Sequence, residues 1–106
     1  AFEHLLFQEI VAHSHYAGGG YPVAYWRTAS QIEADFVLGD HETVVEVKGR
    51  EAHDGDHSGL RAFQEEYKVR HAIIVSMDAR PRSARGVRIL PWRVFLDELW
   101  EGKIVR

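Results

Sequence analysis

The feature that most narrows the fold is the run His71-Ala72-Ile73-Ile74-Val75-Ser76. A strand with one wet face alternates apolar and polar residues. Four consecutive apolar residues instead predict a strand covered on both faces, and such a strand needs helices packed on each side of its sheet. Helical patterns are present. Phe2, Leu5, Leu6, Ile10 and His13 follow i, i+3, i+4 spacing and predict a helix over 2–15, broken by Gly18-Gly19-Gly20. Leu60, Phe63 and Tyr67 mark a second helix. Pro91 opens a third, with Trp92, Phe95, Leu96 and Leu99 on one face and Gly102 after its end. Residues 22–28, 32–38, 43–49 and 87–90 read as further strands; Pro22 stands at a strand start, where its missing N–H is tolerated. Residues 53–58 and 78–85 read as loops, the second rich in arginine. The expected order is helix, three strands, helix, two strands, helix. The expected class is α/β, a mixed β-sheet with a central antiparallel hairpin flanked by helices.

Composition fits that picture. A chain of 106 residues, 45% of them hydrophobic, suits a single domain over 1–106 with one core. At this length folding buries roughly 60–70% of the unfolded surface, so no staple is needed. The absence of cysteine excludes disulfides and thiolate metal sites and fits a reducing, cytoplasmic setting. No apolar run approaches the ~20 residues that span a bilayer, and no signal peptide is visible, so no membrane partner is expected. The chain does not start with Met, which suggests a fragment of a longer protein. A net charge of −3 argues against a strong non-specific nucleic-acid binder. Arginine outnumbers lysine ten to three, however, and arginine is the better bidentate phosphate ligand.

Chemistry concentrates on the hairpin. Alternate strand residues share a face, so Glu33 pairs with Asp35 on one strand and Glu46 with Lys48 on the next. A turn over Gly39-Asp40-His41-Glu42, centred between Asp40 and His41, sets Asp35 opposite Glu46 and Glu33 opposite Lys48. Opposed residues have Cβ atoms ~5 Å apart, and like charges there destabilise the pair. Solvent, the lysine or a bound cation must offset that repulsion. Asp35 and Glu46 suit Mg²⁺, which takes one or two carboxylates plus waters and phosphate oxygens. Such an ion would polarise a phosphodiester and acidify a bound water, with Lys48 orienting the water or stabilising transition-state charge. The same alternation also describes a solvated hairpin face with Glu33–Lys48 as an ordinary cross-strand ion pair.

Read with their surroundings, these residues carry a resemblance. Glu33-Ala34-Asp35-Phe36-Val37-Leu38 followed by Val45-Glu46-Val47-Lys48 resembles the PD-(D/E)xK nuclease superfamily, with Ala34 where its name has proline. More narrowly, the chain resembles the C-terminal domain of uncharacterised bacterial and archaeal AAA-type ATPases. That likeness runs through Phe2-Glu3 and Glu9, Tyr25-Trp26-Arg27-Thr28, the hairpin, Leu60 and Phe63, and Pro91-Trp92 with Phe95-Leu96. It implies a restriction-endonuclease-like core in which Glu9, Asp35, Glu46 and Lys48 surround one or two Mg²⁺ or Mn²⁺ ions, with DNA as the substrate. It also implies an ATPase domain ahead of this one in a longer parent chain. Glu9 falls on the apolar stripe between Leu6 and Ile10, where an unpaired charge is costly unless its side chain reaches water.

Other residues offer alternatives. His13-Ser14-His15 has close spacing, but on a helix i and i+2 point to different sides. His53, Asp54, Asp56 and His57 share one loop and could bind an ion, but without Cys or a helical His-x-x-x-His pair they read as solvated loop residues. Arg27, with Arg80, Arg82 and Arg85 of the stretch that continues to Arg88 and Arg93, can hold a phosphate backbone or simply line an exposed loop. Tyr25, Trp26, Trp92 and Trp100 can stack on bases, pack the core or form a homodimer surface. Three function classes follow: a metal-dependent nuclease, a catalytically silent nucleic-acid-binding or regulatory module of an ATPase, and a protein-interaction domain.

Overall fold

Strand β4 (His71–Ser76) is covered on both faces, as its apolar run requires. The computed structural model describes residues 2–16, 20–26, 35–40, 42–53, 56 and 58–105. Its elements run α1 (Phe2–Tyr16), β1 (Val23–Trp26), β2 (Asp35–Leu38), β3 (Thr43–Val47), α2 (Ser58–Glu66), β4, β5 (Arg82–Ala84), β6 (Val87–Pro91) and α3 (Trp92–Trp100). One six-stranded mixed sheet has the order β1-β2-β3-β4-β6-β5. β1, β2 and β3 form an antiparallel meander, β4 lies parallel to β3 and β6 parallel to β4, and β5 closes the edge antiparallel to β6. The chain is a mixed α/β domain with helices on its sheet.

The two faces bury different residues. Leu6 and Ile10 of α1 and Phe95 and Leu99 of α3 pack with Phe36, Leu38, Val45, Val47, Ile73 and Val75. On the other face Leu60 and Phe63 of α2 pack with Val37, Val44, Ala72, Ile74 and Ile89. Adjacent residues of one strand therefore serve opposite layers, which is why β4 shows no polar alternation.

Departures from the sequence reading are local. The arginine-rich segment 78–85 is not all loop, because Arg82–Ala84 pairs with β6. Three residues are too few to show period-2 patterning, and their pairing partner supplies the order. The outer parts of the expected strands 22–28 and 32–38 lie outside the described residues, as do Gly18 and Gly19 of the glycine run. The last helix ends as expected. Gly102 has φ +77, its N–H bonds Leu99 O, and Lys103 N–H bonds Glu98 O. That crossed pair of bonds satisfies the final carbonyls and requires a left-handed residue at Gly102. Beyond it the chain returns to the sheet: Ile104 and Val105 are buried, and Thr43 Oγ1 donates to Ile104 O at 3.0 Å.

Candidate functional site

The hairpin register is the one the turn dictates. Leu38 pairs with Thr43, Val37 with Val44, Phe36 with Val45 and Asp35 with Glu46. Gly39 has φ +72, and a Cβ there would lie 3.1 Å from that of Glu42, so the turn needs glycine at that position. Val45 and Val47 face α1 and α3, so alternation puts Glu46, with Val44, on the α2 side. Glu46 is 0% exposed and Lys48 8%, and Lys48 Nζ lies 3.1 Å from Glu46 Oε2. The solvated-face reading is therefore overturned for this pair. Removing two charges from water costs several kcal/mol per ion, and only close contact repays it. The backbone of Asp35 stands opposite Glu46, but its side chain lies outside the described residues, as do Glu33 and Arg27.

A polar network follows the pair at the carboxyl end of the parallel strands. Lys48 N–H bonds Val75 O at 2.9 Å, carrying the β3–β4 ladder one step past β3 and setting Lys48 beside Ser76. The buried Ser76 hydroxyl donates to Asp78 Oδ2, and Asp78 N–H returns to Ser76 Oγ at 3.1 Å. Asp78 Oδ2 also accepts Ala52 N–H at 2.9 Å, while Arg82 Nη2 donates to Ala52 O at 2.8 Å and lies 3.4 Å from Asp78 Oδ1. Arg50 grips Asp56 with two bonds of 2.8 and 2.9 Å and donates to Glu51 O at 2.8 Å. His53 N–H adds a bond to Asp56 at 2.7 Å.

The electrostatics follow the contacts. Chiefly through its bonds from Arg50, the Asp56 carboxyl is pulled down to about 2; burial opposes this, and the His53 N–H and the Lys48 charge assist. Burial alone would raise the Asp78 carboxyl, but Ser76, the Ala52 N–H and Arg82 together hold it below its ordinary value. These anions stay charged at neutral pH and fix the loop that follows Lys48.

Not every candidate joins this set. Glu9 lies on α1, which covers the opposite face, and its Oε1 accepts the Trp100 indole N–H at 3.2 Å. The half-buried carboxylate on the apolar stripe is thus met by a partner on α3. Arg85, at φ 56 in the β5–β6 turn, lies at the amino end of β6, away from Lys48 and Ser76. Arg88 is bidentate to Glu98 at 3.0 and 2.9 Å, and Arg93 lies over the Trp92 ring. Arg80 is exposed on the segment leading into β5. His13 is buried, with Nδ1 2.8 Å from Tyr21 Oη, whereas His15 is exposed. Burial lowers the His13 pKa and raises that of Tyr21 to about 12. Trp92 packs edge-on against Phe2, and Trp100 meets the rings of His13 and Tyr16. Asp54 and His57 lie outside the described residues.

As metal donors, Glu46 and its register partner Asp35 offer hard oxygens, which suit Mg²⁺ or Mn²⁺. Among the described residues no three His, Asp or Glu side chains converge on one point. Both carboxylates would be needed, together with water or substrate oxygens, and that partial protein coordination is usual for Mg²⁺.

A family model described as a domain of unknown function, DUF4143, matches residues 1–95. The chain belongs to that family. No curated protein and no solved structure matches it. The match takes in every element of this DUF4143 domain from α1 to β6, and so the whole Glu46–Lys48 neighbourhood. Among its described residues no helix is long and apolar enough to cross a membrane.

Sequence reasoning missed Arg50, Ser76 and Asp78. The parallel register sets Ser76 beside Lys48, and a single sequence carries no signal for parallel register. Asp78 and Arg82 are spaced i, i+4, but the sheet edge rather than a helix brings them together.

Proposed function

We propose that this DUF4143 domain is a divalent-metal-dependent nuclease-like module that hydrolyses DNA phosphodiester bonds on a restriction-endonuclease-like core. The observation that carries this reading is the buried Glu46–Lys48 pair opposite Asp35. A buried ion pair adds little net stability compared with well-packed apolar residues, so its presence at the carboxyl end of a parallel ladder suggests chemistry rather than architecture. Asp35 and Glu46 would hold Mg²⁺ or Mn²⁺. When bound, the ion supplies Lewis-acid activation of the phosphodiester and of a water. Lys48 keeps its ammonium against Glu46 and can donate hydrogen bonds to charge developing on phosphate oxygens. The likeness to the PD-(D/E)xK hairpin supports the same roles.

The test is calorimetric titration of Mn²⁺ and Mg²⁺ into wild type and Asp35→Ala, with plasmid nicking on the same samples. Metal binding and metal-dependent nicking in wild type, both lost in the variant, are expected. Neither binding nor nicking in wild type would overturn the reading.

A second reading is a catalytically silent module that binds nucleic acid or regulates a cytoplasmic AAA-type ATPase. Two observations favour it. The chain resembles the C-terminal domains of AAA-type ATPases, and the Glu46 carboxylate is already met by an ammonium of its own chain. Salt-sensitive DNA affinity without cleavage is its signature.

A further inference from the structure

We infer that Arg50 and Arg82 form a preset phosphate clamp that holds a nucleic-acid strand beside the Glu46–Lys48 pair. This inference rests on the reading that the domain engages nucleic acid, and it adds the residues that grip the backbone.

Three observations carry it. First, the two guanidinium groups are anchored to neighbouring carbonyls: Arg50 Nη1 donates to Glu51 O and Arg82 Nη2 to Ala52 O, each at 2.8 Å. Consecutive residues have Cα atoms ~3.8 Å apart, so two groups bonded to their carbonyls lie within about 10 Å of each other. Second, each guanidinium is steadied by a largely buried carboxylate and still reaches water. The Asp56 and Asp78 side chains are 11% and 13% exposed, against 43% and 45% for Arg50 and Arg82. Arginine held in this way has already lost much of the rotamer freedom that binding a phosphate would otherwise cost. Third, the segment is strapped to the site. Lys48 N–H bonds Val75 O, Met77 N–H bonds Arg50 O, and Ala52 N–H bonds Asp78. Lys48 and Arg50 lie two residues apart, at most ~7 Å between Cα atoms. That span is on the order of the separation of neighbouring phosphates along one strand, whose axial rise alone is ~3.4 Å.

The competing explanation is that these are loop-fastening ion pairs. Pairs of this exposure contribute little to stability. The two roles separate cleanly, because a fastener alters melting and a clamp alters the salt dependence of binding.

The experiment measures anisotropy of a fluorescein-labelled 20-nucleotide duplex DNA, a single-stranded DNA and an RNA of the same sequence. Salt is varied and EDTA is present, so cleavage and metal play no part. Proteins are wild type, Arg50→Gln, Arg82→Gln, the matching Lys variants, and Arg85→Gln as a control at the far end of the sheet. Each Gln variant should bind several-fold more weakly, and its log K against log[salt] slope should shrink by about one phosphate. The Lys variants should keep the slope, and Arg85→Gln should match wild type. Circular dichroism melts show which variants are folded; if a Gln variant is not, its Lys counterpart and the other arginine decide. Gln variants that bind as wild type, losses equal to that of Arg85→Gln, or no binding of any oligonucleotide by wild type would each overturn the clamp. Nicking by wild type with unchanged binding in the Gln variants would sink the clamp and leave the nuclease reading standing. The preferred oligonucleotide tells DNA from RNA.

Discussion

Replacing Lys48 with methionine tests whether the Glu46–Lys48 pair is as buried as the structure has it. Methionine keeps most of the stem volume and removes the charge, which leaves a carboxylate of 0% exposure without the ammonium at 3.1 Å. Breaking a buried pair from one side costs about 3–5 kcal/mol. A domain of this size has roughly 5–15 kcal/mol in total, so the variant loses a large share of its stability. At about 4 °C or more per kcal/mol, melting should fall by at least ~12 °C. The double variant Glu46→Leu, Lys48→Met removes both charges and should regain most of that loss, because well-packed apolar residues in place of a buried pair are often no worse than the pair. Urea denaturation of wild type, both single variants and the double variant completes a mutant cycle. A Lys48→Met cost below ~1 kcal/mol, the scale of a surface pair, or no recovery in the double variant, would refute the burial argument and with it the main support for a chemical role.

Other expectations follow from single contacts. The Asp56 carboxyl lies at about 2 in the folded protein against an ordinary 3.8, so its contribution is complete above pH ~4 and is lost as pH falls through about 2. With the Arg50 side chain 43% exposed, that contribution is at most about 1 kcal/mol, and acid titration of Asp56→Asn should show a shallower loss than wild type over that range. Glu9→Gln should leave Mn²⁺ affinity within twofold of wild type, because Glu9 is bonded to Trp100 on the far face; a tenfold loss by calorimetry would bring Glu9 back into the site. Gly102→Ala should cost about 1–2 kcal/mol in thermal melts, since φ +77 strains any side chain. Thr43→Val should cost about 1 kcal/mol and speed protease removal of the last residues, because it deletes the bond to Ile104 O.

Much of this fold can be read from one dimension. The apolar run at 72–75 implied a strand between two layers, and α1 and α3 cover one face while α2 covers the other. The turn at Gly39 fixed the Asp35–Glu46 register, because pairing in a hairpin is counted from its turn. What could not be read depends on distant partners. Burial of Lys48 comes from its neighbours across the parallel ladder, not from the alternating pattern around it. Arg82 reads as a loop residue until β6 lies beside it. Glu9 looks like a misplaced charge until the end of α3 supplies an indole N–H.

The return of Ile104 and Val105 to the start of β3 has a consequence for the order in which the chain organises itself. A ribosome releases the hairpin first, and hairpins close within about 1–10 μs. The strand that carries Glu46 nevertheless has its other neighbour, β4, some twenty-five residues downstream, and its starting residue is capped from near position 104. An emerging chain therefore holds a half-made sheet with the bare edge of β3 turned outward until β4 is free to pair with it. Such an edge invites strand addition from another chain. Docking of β4, followed by Ile104 and Val105 at the start of β3, is thus a kinetic checkpoint at which a sticky intermediate becomes a closed sheet.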